Sequence, residues 1–302
     1  MTPLDPRFTR ALRVVCSALE GSHTRWALTG SVGMALQGMP YSPRDLDVQS
    51  DETGAREIER RLADYVVRPL AMKESPGMRS YMATLEIEGV EVELIGSVQR
   101  PGGTGWDETD LAPVIHYALL EGMRIPVLSL AHEAAAYAAM GRAEKAAALK
   151  AWAGQHADVT RITNYRLLSP DLATAGMPTP EQIPLLAAQG YRAVINLARP
   201  DSPGAIEDEA ARVRALGMDY VAIPVIWEAP ALEDLRAFYA AMDARRGQPL
   251  FVHCVLNMRV SAFCYLYRVQ RLGVNEAEAR KDLTAIWDPD EVWERFIAQA
   301  IR

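Results

Sequence analysis

Short apolar runs alternate with helical patterns in the second half of this chain, and that alternation constrains the fold more than any other feature. Three runs have the length and composition of buried strands: YRAVINLA (191–198), MDYVAIPV (218–225) and PLFVHC (249–254). Helical patterns lie between these runs and after the last of them. Alternation of this kind favours an α/β sheet with covering helices.

The first half follows a different order, in which predicted strands carry acidic residues. TRWALTG (24–30) predicts a strand that runs into a turn, and SVGMALQG predicts a short helix after it. RDLDVQS (44–50) predicts a second strand, and a helix follows over roughly 53–64. SYMATLEIEGVEVELIG (80–96) predicts two strands joined at Glu88-Gly89. These elements favour a mixed sheet with helices, an α+β arrangement.

A polar stretch separates the two patterns. Residues 134–153 are alanine-rich with charges at helical spacing and predict one helix. GQHADVTRITNYR follows without clear periodicity, so we place the joint near residues 154–163. A chain of 302 residues exceeds the usual ~100–200 residues of one domain. We therefore expect two domains, residues 1–155 and 160–302.

Composition excludes several classes of protein. A net charge of −7 argues against a general nucleic-acid-coating role, so nucleic acid is not indicated as a partner. Cys16, Cys254 and Cys264 are too few and too unevenly spaced for a disulfide framework or a zinc site. No apolar stretch reaches the ~20 residues of a membrane span, and MTPLDPRFTR lacks the apolar core of a signal peptide. We expect a cytoplasmic protein with no membrane partner.

Two pairs of carboxylates lie on the predicted strands of the first half. Alternation along a strand puts Asp45 and Asp47 on one face, and Glu91 and Glu93 share a face by the same rule. Three carboxylates from adjacent strands could hold a divalent metal, which takes hard oxygen ligands and keeps substrate phosphates in its shell. The alternative is a pair of solvated acids beside a turn.

A Gly-Ser pair ends the strand before the acids. Gly30 would let the chain approach a triphosphate closely, because glycine has no Cβ. Ser31 would donate to that triphosphate at the start of a helix. Bound metal could then activate an attacking hydroxyl and stabilise the departing pyrophosphate.

LTGSVGMALQGMPYSPRDLDV, followed by VEVELIG, resembles the nucleotidyltransferase superfamily over roughly residues 24–152. The resemblance implies Asp45, Asp47 and Glu93 as ligands of Mg²⁺ or Mn²⁺, and the motif alignment alone favours Glu93 over its neighbour. It also makes Arg142 and Lys145 candidates for phosphate contact. Relatives often carry Lys-Asp where this chain has Lys-Ala. An NTP is the implied donor, and the hydroxyl or phosphate acceptor stays open.

FVHCVLNMRVSAF (251–263) carries the second candidate site. A thiolate nucleophile needs a pKa below the free value of ~8.5, and backbone N–H groups at a strand-to-helix turn favour the thiolate. The same donors would bind a phosphate dianion while an arginine clamps two of its oxygens. A strand over FVHC and a helix over RVSAFCYLYRVQRLG put Cys254 and Arg259 in that geometry. His253 could orient the loop by hydrogen bonding.

This stretch resembles the loop of dual-specificity and tyrosine phosphatases, and a bacterial phosphatase-like group matches more closely over about residues 162–287. The resemblance implies a three-layer α/β domain with Cys254 as nucleophile and Arg259 as phosphate clamp, acting on a phosphorylated substrate without a cofactor. An acid is expected in the loop after IPV, where Glu228 is nearest and Asp234 lies behind it.

The spacing of this loop departs from the phosphatase pattern. Such loops place arginine sixth and a hydroxyl residue seventh after the cysteine, but here Arg259 is fifth and Ser261 seventh. Either the loop keeps its length and the arginine has moved, or the loop is one residue tighter and Ser261 falls outside the site. No glycine is present, and only Asn257 readily tolerates a positive φ. Asn257 and Ser261 are therefore candidate phosphate contacts. Trp227 is a packing residue or a wall of the pocket.

The two halves together predict a bifunctional protein, with metal-dependent nucleotidyl transfer in the first and cysteine-dependent phosphomonoester hydrolysis in the second. Two alternatives stay open. In one, only the first domain is an enzyme and the second binds phosphate. In the other, the chain is a non-catalytic regulatory or binding protein.

Overall fold

The computed structural model describes residues 4–103 and 105–301 of the chain. These residues divide into two compact units, the first ending at Ala157 and the second beginning at Asp158. Each unit has its own hydrophobic core. No helix among the described residues is long and apolar enough to cross a membrane.

The first unit is a mixed sheet with helices. Its strands are β1 (Trp26–Thr29), β2 (Leu46–Ser50), β3 (Val66–Ser75), β4 (Met78–Ile87), β5 (Val90–Gly102), β6 (Gly105–Glu108), β7 (Ile115–Leu120) and β8 (Met123–Leu128). Its helices are α1 (Pro6–Leu19), α2 (Gly30–Leu36), α3 (Glu52–Arg61), α4 (Leu130–Ala139) and α5 (Ala143–Gln155).

The strand order of this sheet is β3-β4-β5-β2-β1-β8-β7, with β6 paired to β5. The β1–β8 and β2–β5 pairs are parallel, and the other pairs are antiparallel. Apolar side chains on one face of the sheet form the core with α1 and α3. Polar side chains at alternate positions of β2 and β5 therefore lie on the opposite face.

The structure confirms the strands that the sequence predicts in this unit. β1 ends at the Gly-Ser pair, β2 begins within the Asp-x-Asp segment and carries Asp47, and a tight turn joins β4 to β5. At that turn Glu88 and Gly89 both have positive φ, 55° and 71°. Two successive positive φ values match the twist of a two-residue hairpin.

The prediction of one helix over residues 134–153 is wrong. The segment begins inside α4, which ends at Ala139, and α5 starts afresh at Ala143. Gly141 between them has a φ of 72°, a left-handed conformation that ends a helix. Alanine content and charge spacing favour helix on both sides and do not locate the break.

The second unit is a five-stranded sheet with helices. Its strands are β9 (Arg166–Ser169), β10 (Leu172–Ala175), β11 (Ala193–Asn196), β12 (Asp219–Ala222) and β13 (Leu250–His253). Its helices are α6 (Ile183–Ala188), α7 (Glu209–Ala215), α8 (Leu232–Asp243), α9 (Met258–Leu272), α10 (Glu276–Thr284) and α11 (Glu291–Ile301).

Strands in this sheet run in the order β12-β11-β13-β10-β9, and only the β9–β10 pair is antiparallel. Ile195 and Val252 belong to a large core that includes residues of α8, α9 and α11. Their chain neighbours Val194 and Phe251 are also fully buried, and alternation directs them to the opposite face. Both faces of the central strands are therefore covered, as the α/β prediction requires.

One of the three predicted buried strands is at the edge of the sheet. β11 and β13 are buried along their whole length, whereas β12 has exposed residues at both ends. The apolar composition of residues 218–225 does not distinguish an edge strand from a central one, because the sequence does not record whether a second strand pairs with its other edge.

Candidate functional sites

The predicted acidic residues of the first unit lie side by side on the neighbouring strands β2 and β5. Thr29 of β1 pairs with Asp47 of β2, and Asp47 pairs in turn with Glu93 of β5. Asp45 directly precedes β2. The parallel pairing of β2 with β5 thus brings together Asp47 and Glu93, which are 46 positions apart in the sequence. This agrees with the prediction that the two acids lie on adjacent strands.

Gly30 fits under the carboxylate of Asp47 because it has no side chain. Its φ is 68°, and an added Cβ would lie 2.1 Å from Oδ2 of Asp47. Ser31 is the second residue of α2 and is half-buried. The Gly-Ser turn therefore lies directly against the acidic row, where the sequence predicts a triphosphate site.

Sequence reasoning missed a fourth carboxylate, Glu133 on α4. Oε1 of Glu133 accepts a hydrogen bond from the Thr29 hydroxyl at 2.7 Å and another from the Gly30 N–H at 2.9 Å. Its side chain is buried, with 3% of the residue exposed. Burial raises the pKa of Glu133, and the two hydrogen bonds and the charge of Lys145 oppose that rise. Glu133 thus holds the glycine turn in place.

Asp47 has a strongly perturbed pKa within this cluster. Burial raises the pKa of Asp47 to about 7, and the charges of Asp45 and Glu93 add to that effect. Glu133 acts in the same direction, whereas Lys145 acts in the opposite one. A bound cation would relieve the repulsion at Asp47, since an opposite charge favours the ionised form.

The chemistry of this cluster suits a hard divalent cation, because Asp45, Asp47 and Glu93 supply carboxylate oxygens. In the described part of the chain, however, no three or more His, Cys, Asp or Glu side chains are arranged as a group that could hold a metal ion. Metal binding by these three residues therefore stays a prediction.

The two basic residues predicted to contact phosphate lie at the start of α5. The Lys145 ammonium is 4.0 Å from the ring centroid of Tyr137 and 5.2 Å from that of Tyr41. The positive charge of Lys145 acts to lower the pKa of both Asp47 and Glu133. Arg142 precedes α5, is exposed and stacks over Tyr137 at 5.7 Å. Of the two, Lys145 is the one that the structure brings to the acidic cluster.

The second candidate site is the turn between β13 and α9. Cys254 follows the strand directly and is almost fully buried, and Arg259 is the second residue of the helix. Asn257 lies immediately before the helix and has a φ of 65°. It is the residue of this turn that the sequence identifies as tolerating a left-handed conformation. The predicted strand, turn and helix are confirmed.

A pocket of about 250 Å³ opens at this turn. Its lining combines apolar side chains with one thiol, one guanidinium and one hydroxyl: Ser202, Pro203, Trp227, Cys254, Val255, Leu256, Met258 and Arg259. The Arg259 guanidinium lies 5.8 Å from the Trp227 ring centroid. Trp227 therefore forms a wall of the pocket, and it also packs against Trp287 and Trp293.

Backbone donors are available around this pocket. The amides of Met258, Arg259 and Val260 belong to the first turn of α9 and so have no acceptor within the helix. Those of Val255 and Leu256 also donate to no backbone carbonyl of the described residues. N–H groups left unpaired at the start of a helix, beside a pocket, can bind an anion. The Nε atom of Arg259 is buried and lacks a partner among the same residues.

Of the two loop lengths left open by the sequence, the structure has the tighter one. α9 begins at Met258, so Ser261 is already the fourth residue of the helix. The Ser261 hydroxyl donates to the Met258 carbonyl at 2.9 Å and accepts from Trp287 Nε1 at 3.1 Å. Ser261 does not line the pocket with Cys254, so its predicted phosphate contact has no support from this geometry.

Neither predicted proton donor lines the pocket. Glu228 is exposed, and Asp234 lies in the first turn of α8. Burial raises the pKa of Asp234, although a hydrogen bond from the Ala231 backbone opposes the rise. The structure therefore leaves the choice between these two acids open.

A buried polar network lies behind the cysteine. Nε2 of His253 is 2.8 Å from Oε1 of Glu209, an ion-pair distance, although the N–H bond does not point along the line between the atoms. Asn196 and Tyr220 donate to the other oxygen of Glu209 at 2.8 and 2.9 Å. Burial favours a higher pKa for Glu209, but His253, Tyr220 and Asn196 together lower it. Sequence reasoning found His253 and missed Glu209.

Two family models match the chain, one in each unit. Residues 11–150 match the model described as aminoglycoside-2″-adenylyltransferase. Residues 164–268 match the model described as beta-lactamase hydrolase-like protein, phosphatase-like domain.

Curated relatives match the second unit. A beta-lactamase hydrolase-like protein of Agrobacterium fabrum is 41% identical over 115 residues, which cover 35% of this chain and 26% of that protein. A protein of the same description from Xylella fastidiosa is 34% identical over 114 residues, again 26% of its length. The chain thus spans about a quarter of the length of these relatives.

Solved structures resemble each unit. A candidate nucleotidyltransferase of Thermotoga maritima has 35% sequence identity and a TM-score of 0.45, over 51% of this chain and 97% of that one. A candidate phosphatase of Shewanella putrefaciens has 36% identity and a TM-score of 0.44, over 47% of this chain and 93% of that one.

Proposed function

The chain joins an aminoglycoside nucleotidyltransferase-like domain to a beta-lactamase-hydrolase-like phosphatase domain, and we propose that both domains are enzymes. The first would transfer a nucleoside monophosphate from an NTP to a hydroxyl or phosphate acceptor. The second would hydrolyse a phosphomonoester. A nucleophilic Cys254 must stay a free thiol, so we propose that the protein works in a reducing compartment such as the cytoplasm.

One observation carries the nucleotidyltransferase proposal: Asp47 and Glu93 are direct neighbours on β2 and β5, with Asp45 beside them and Gly30 beneath. Asp45, Asp47 and Glu93 would hold Mg²⁺ or Mn²⁺. Such a metal supplies an activated hydroxyl nucleophile and charge stabilisation at the triphosphate.

Other residues of the first unit would bind and orient the NTP. Gly30 lets the turn lie directly against the Asp47 carboxylate, and Ser31 would donate to a phosphate oxygen at the start of α2. Lys145 would neutralise part of the phosphate charge, because it already interacts with Asp47 and Glu133. In the reaction the bond between the α-phosphorus and its bridging oxygen breaks, and pyrophosphate leaves as the acceptor oxygen attaches.

Pyrophosphate release from ATP and Mg²⁺ tests this proposal, with an aminoglycoside, a polyol and a nucleotide offered as acceptors. We expect Asp47→Asn to abolish release, because it removes one carboxylate from the row. Glu91→Gln is the matched control, since Glu91 is exposed and lies on β5 two positions from Glu93. Equal rates in wild type and Asp47→Asn would refute the proposal.

One observation also carries the phosphatase proposal: unpaired amides, Arg259 and Cys254 meet at one pocket. The Cys254 thiolate would attack phosphorus as the bond to the leaving oxygen breaks, and Arg259 would clamp two phosphate oxygens. Water would then hydrolyse the phosphocysteine and release inorganic phosphate. His253 would orient the loop through its contact with Glu209.

A second candidate function for this domain is phosphate binding without hydrolysis. The observation that favours it is the absence of Glu228 and Asp234 from the pocket lining within the described chain. Without an acid nearby, a basic leaving group would depart unprotonated and therefore slowly.

An aryl phosphate separates these two candidates, because its phenolate leaving group needs no proton. We expect the full-length protein to hydrolyse it, Cys254→Ser to be inactive and Arg259→Lys to be strongly impaired. Cys16→Ser, in the other unit, is the control. Phosphate binding without turnover in the wild type would reject hydrolysis and leave the binding function.

A further inference from the structure

Two asparagines with left-handed backbone conformations meet beside the cysteine turn. Asn257 has a φ of 65° and Asn164, at the start of the second unit, has a φ of 53°. Asparagine tolerates this region better than most residues, because its short amide can bond locally. The turn from Cys254 to Arg259 contains no glycine, so Asn257 takes the place that glycine would otherwise fill.

Each asparagine donates its side-chain amide to the other's segment. Nδ2 of Asn257 lies 2.7 Å from the Asn164 carbonyl and 3.0 Å from Oγ1 of Thr174. Nδ2 of Asn164 lies 2.9 Å from the Leu256 carbonyl. Asn257 is completely buried, so this reciprocal pair, the asparagine clasp, fixes the turn from within the fold.

The Val255 carbonyl, one residue before the carbonyl that Asn164 binds, is also hydrogen-bonded. The Met177 N–H donates to the Val255 carbonyl at 3.0 Å, and the Gly176 N–H donates to the Thr163 carbonyl at 2.6 Å. A Cβ on Gly176 would lie 2.6 Å from the Val255 oxygen. The segments 163–164 and 176–177 therefore bind two successive carbonyls of the turn.

Binding these carbonyls sets the direction of the following amides. Across a planar trans peptide the C=O and the next N–H point in opposite directions. No cis peptide bond occurs among the described residues. Holding the Val255 carbonyl towards Met177 turns the unpaired Leu256 N–H away from Met177. Holding the Leu256 carbonyl towards Asn164 fixes the next peptide, which leads into α9.

We propose that Asn164 is a positioning residue of the anion pocket, whose side-chain amide binds the Leu256 carbonyl and so fixes the backbone of the turn that carries the donors for a bound oxyanion. Asn164 itself does not line the pocket. The proposal rests on the proposed function only in that Cys254 and Arg259 bind an anion. It does not require turnover.

Asn164→Gly tests the proposal, because glycine keeps the left-handed backbone and removes only the amide donor. We expect the Kd of inorganic phosphate, measured by calorimetry on the full chain, to rise about tenfold, the equivalent of one hydrogen bond. The control is Asn275→Gly, which removes the side chain that accepts from the Ala277 and Glu278 N–H groups at the start of α10. This control should leave the phosphate Kd unchanged.

Alkylation of Cys254 provides a readout that a purely structural role would not move. Iodoacetate is an anion and iodoacetamide is neutral, so the ratio of their rates at Cys254 reports how well the pocket attracts an anion. We expect Asn164→Gly to lower this ratio severalfold and Asn275→Gly to preserve it. An unchanged ratio and an unchanged Kd in Asn164→Gly would overturn the proposal.

The proposed hydrolysis can fail separately. Phosphate binding in a wild type that does not hydrolyse aryl phosphate would reject only hydrolysis. A wild type that neither binds phosphate nor prefers iodoacetate would have no anion pocket, and the role of Asn164 would fall with it.

Discussion

Asp47→Asn should stabilise the protein in the absence of metal, even though it removes a residue proposed for catalysis. Asp47 lies against Glu93 and Gly30 and near Asp45 and Glu133. Burial and these like charges penalise its ionised form in the folded state. Asparagine has nearly the same shape and no charge, so the substitution removes the penalty without leaving a cavity.

The magnitude follows from the pKa of Asp47, which burial and its acidic neighbours raise from 3.8 to about 7. A carboxyl whose pKa is higher in the folded state destabilises the fold when it is ionised. The loss of folding stability from Asp47 is therefore absent below pH 3.8, grows between pH 3.8 and about 7, and is complete above about 7. This rise in the pKa of Asp47 corresponds to a loss of folding stability of about 4 kcal/mol at pH 8 and roughly half of that at pH 5.5. Partial exposure of Asp47 reduces these figures to about 2 and about 1 kcal/mol.

Thermal unfolding of the full chain in a metal chelator measures this effect at pH 5.5 and pH 8. For a unit of this size, 2 kcal/mol corresponds to a rise in Tm of roughly 4–8 °C. We expect that rise for Asp47→Asn at pH 8 and about half of it at pH 5.5. Asp64→Asn, at an exposed position, should leave Tm unchanged. Equal Tm values for wild type and Asp47→Asn at pH 8 would refute the reasoning.

Three further substitutions have defined outcomes. Arg166 and Arg268 are both buried and form ion pairs with Asp282 at 2.8 and 2.7 Å. Asp282→Asn removes the negative charge that both arginines share and should lower the free energy of unfolding in urea by about 3–5 kcal/mol. An unchanged midpoint would contradict this. Gly30→Ala should lower pyrophosphate release at least tenfold, because its φ is 68° and a Cβ would lie 2.1 Å from a site carboxylate; wild-type rates would show that the turn can shift. Glu209 has a lowered pKa, so its contribution to stability is present above the ordinary value and is lost on acidification. Glu209→Gln should therefore lose less stability than wild type between pH 6 and pH 3, and parallel pH profiles would contradict this.

The sequence was sufficient where a local pattern specifies the structure. Period-two alternation assigned Asp45 and Asp47 to one face of their strand, and Glu91 and Glu93 to one face of theirs. The resemblance to nucleotidyltransferases then favoured Glu93 as the partner of Asp47. Asn257 was identified because one backbone conformation had to be left-handed and no glycine was present. The alternation along each strand and the left-handed conformation at Asn257 are both constraints that act within a few residues of the side chain.

Residues that act across long separations could not be found in this way. Glu133 belongs to an alanine-rich helix, and nothing in its neighbourhood indicates that its carboxylate bonds to Thr29 and Gly30. Glu209 and Asn164 likewise reach the cysteine turn only through the fold. Each is a polar residue of ordinary appearance, whose role comes from a contact that a single sequence does not record.

Loop length was the other quantity that spacing alone left open. Counting from Cys254 to Arg259 fixes the number of residues, but the first residue of α9 decides which of them face the pocket. The helix begins at Met258, which brings Arg259 to the pocket and takes Ser261 out of it. A helix start is set by the clasp and by packing as well as by local propensity.

The most direct test of the account is to measure pyrophosphate release and aryl phosphate hydrolysis in one preparation of the full chain, for wild type, Asp47→Asn and Cys254→Ser. The account predicts two independent sites, so Asp47→Asn should lose only the first activity and Cys254→Ser only the second. A wild type without either activity, or variants that retain both, would contradict it.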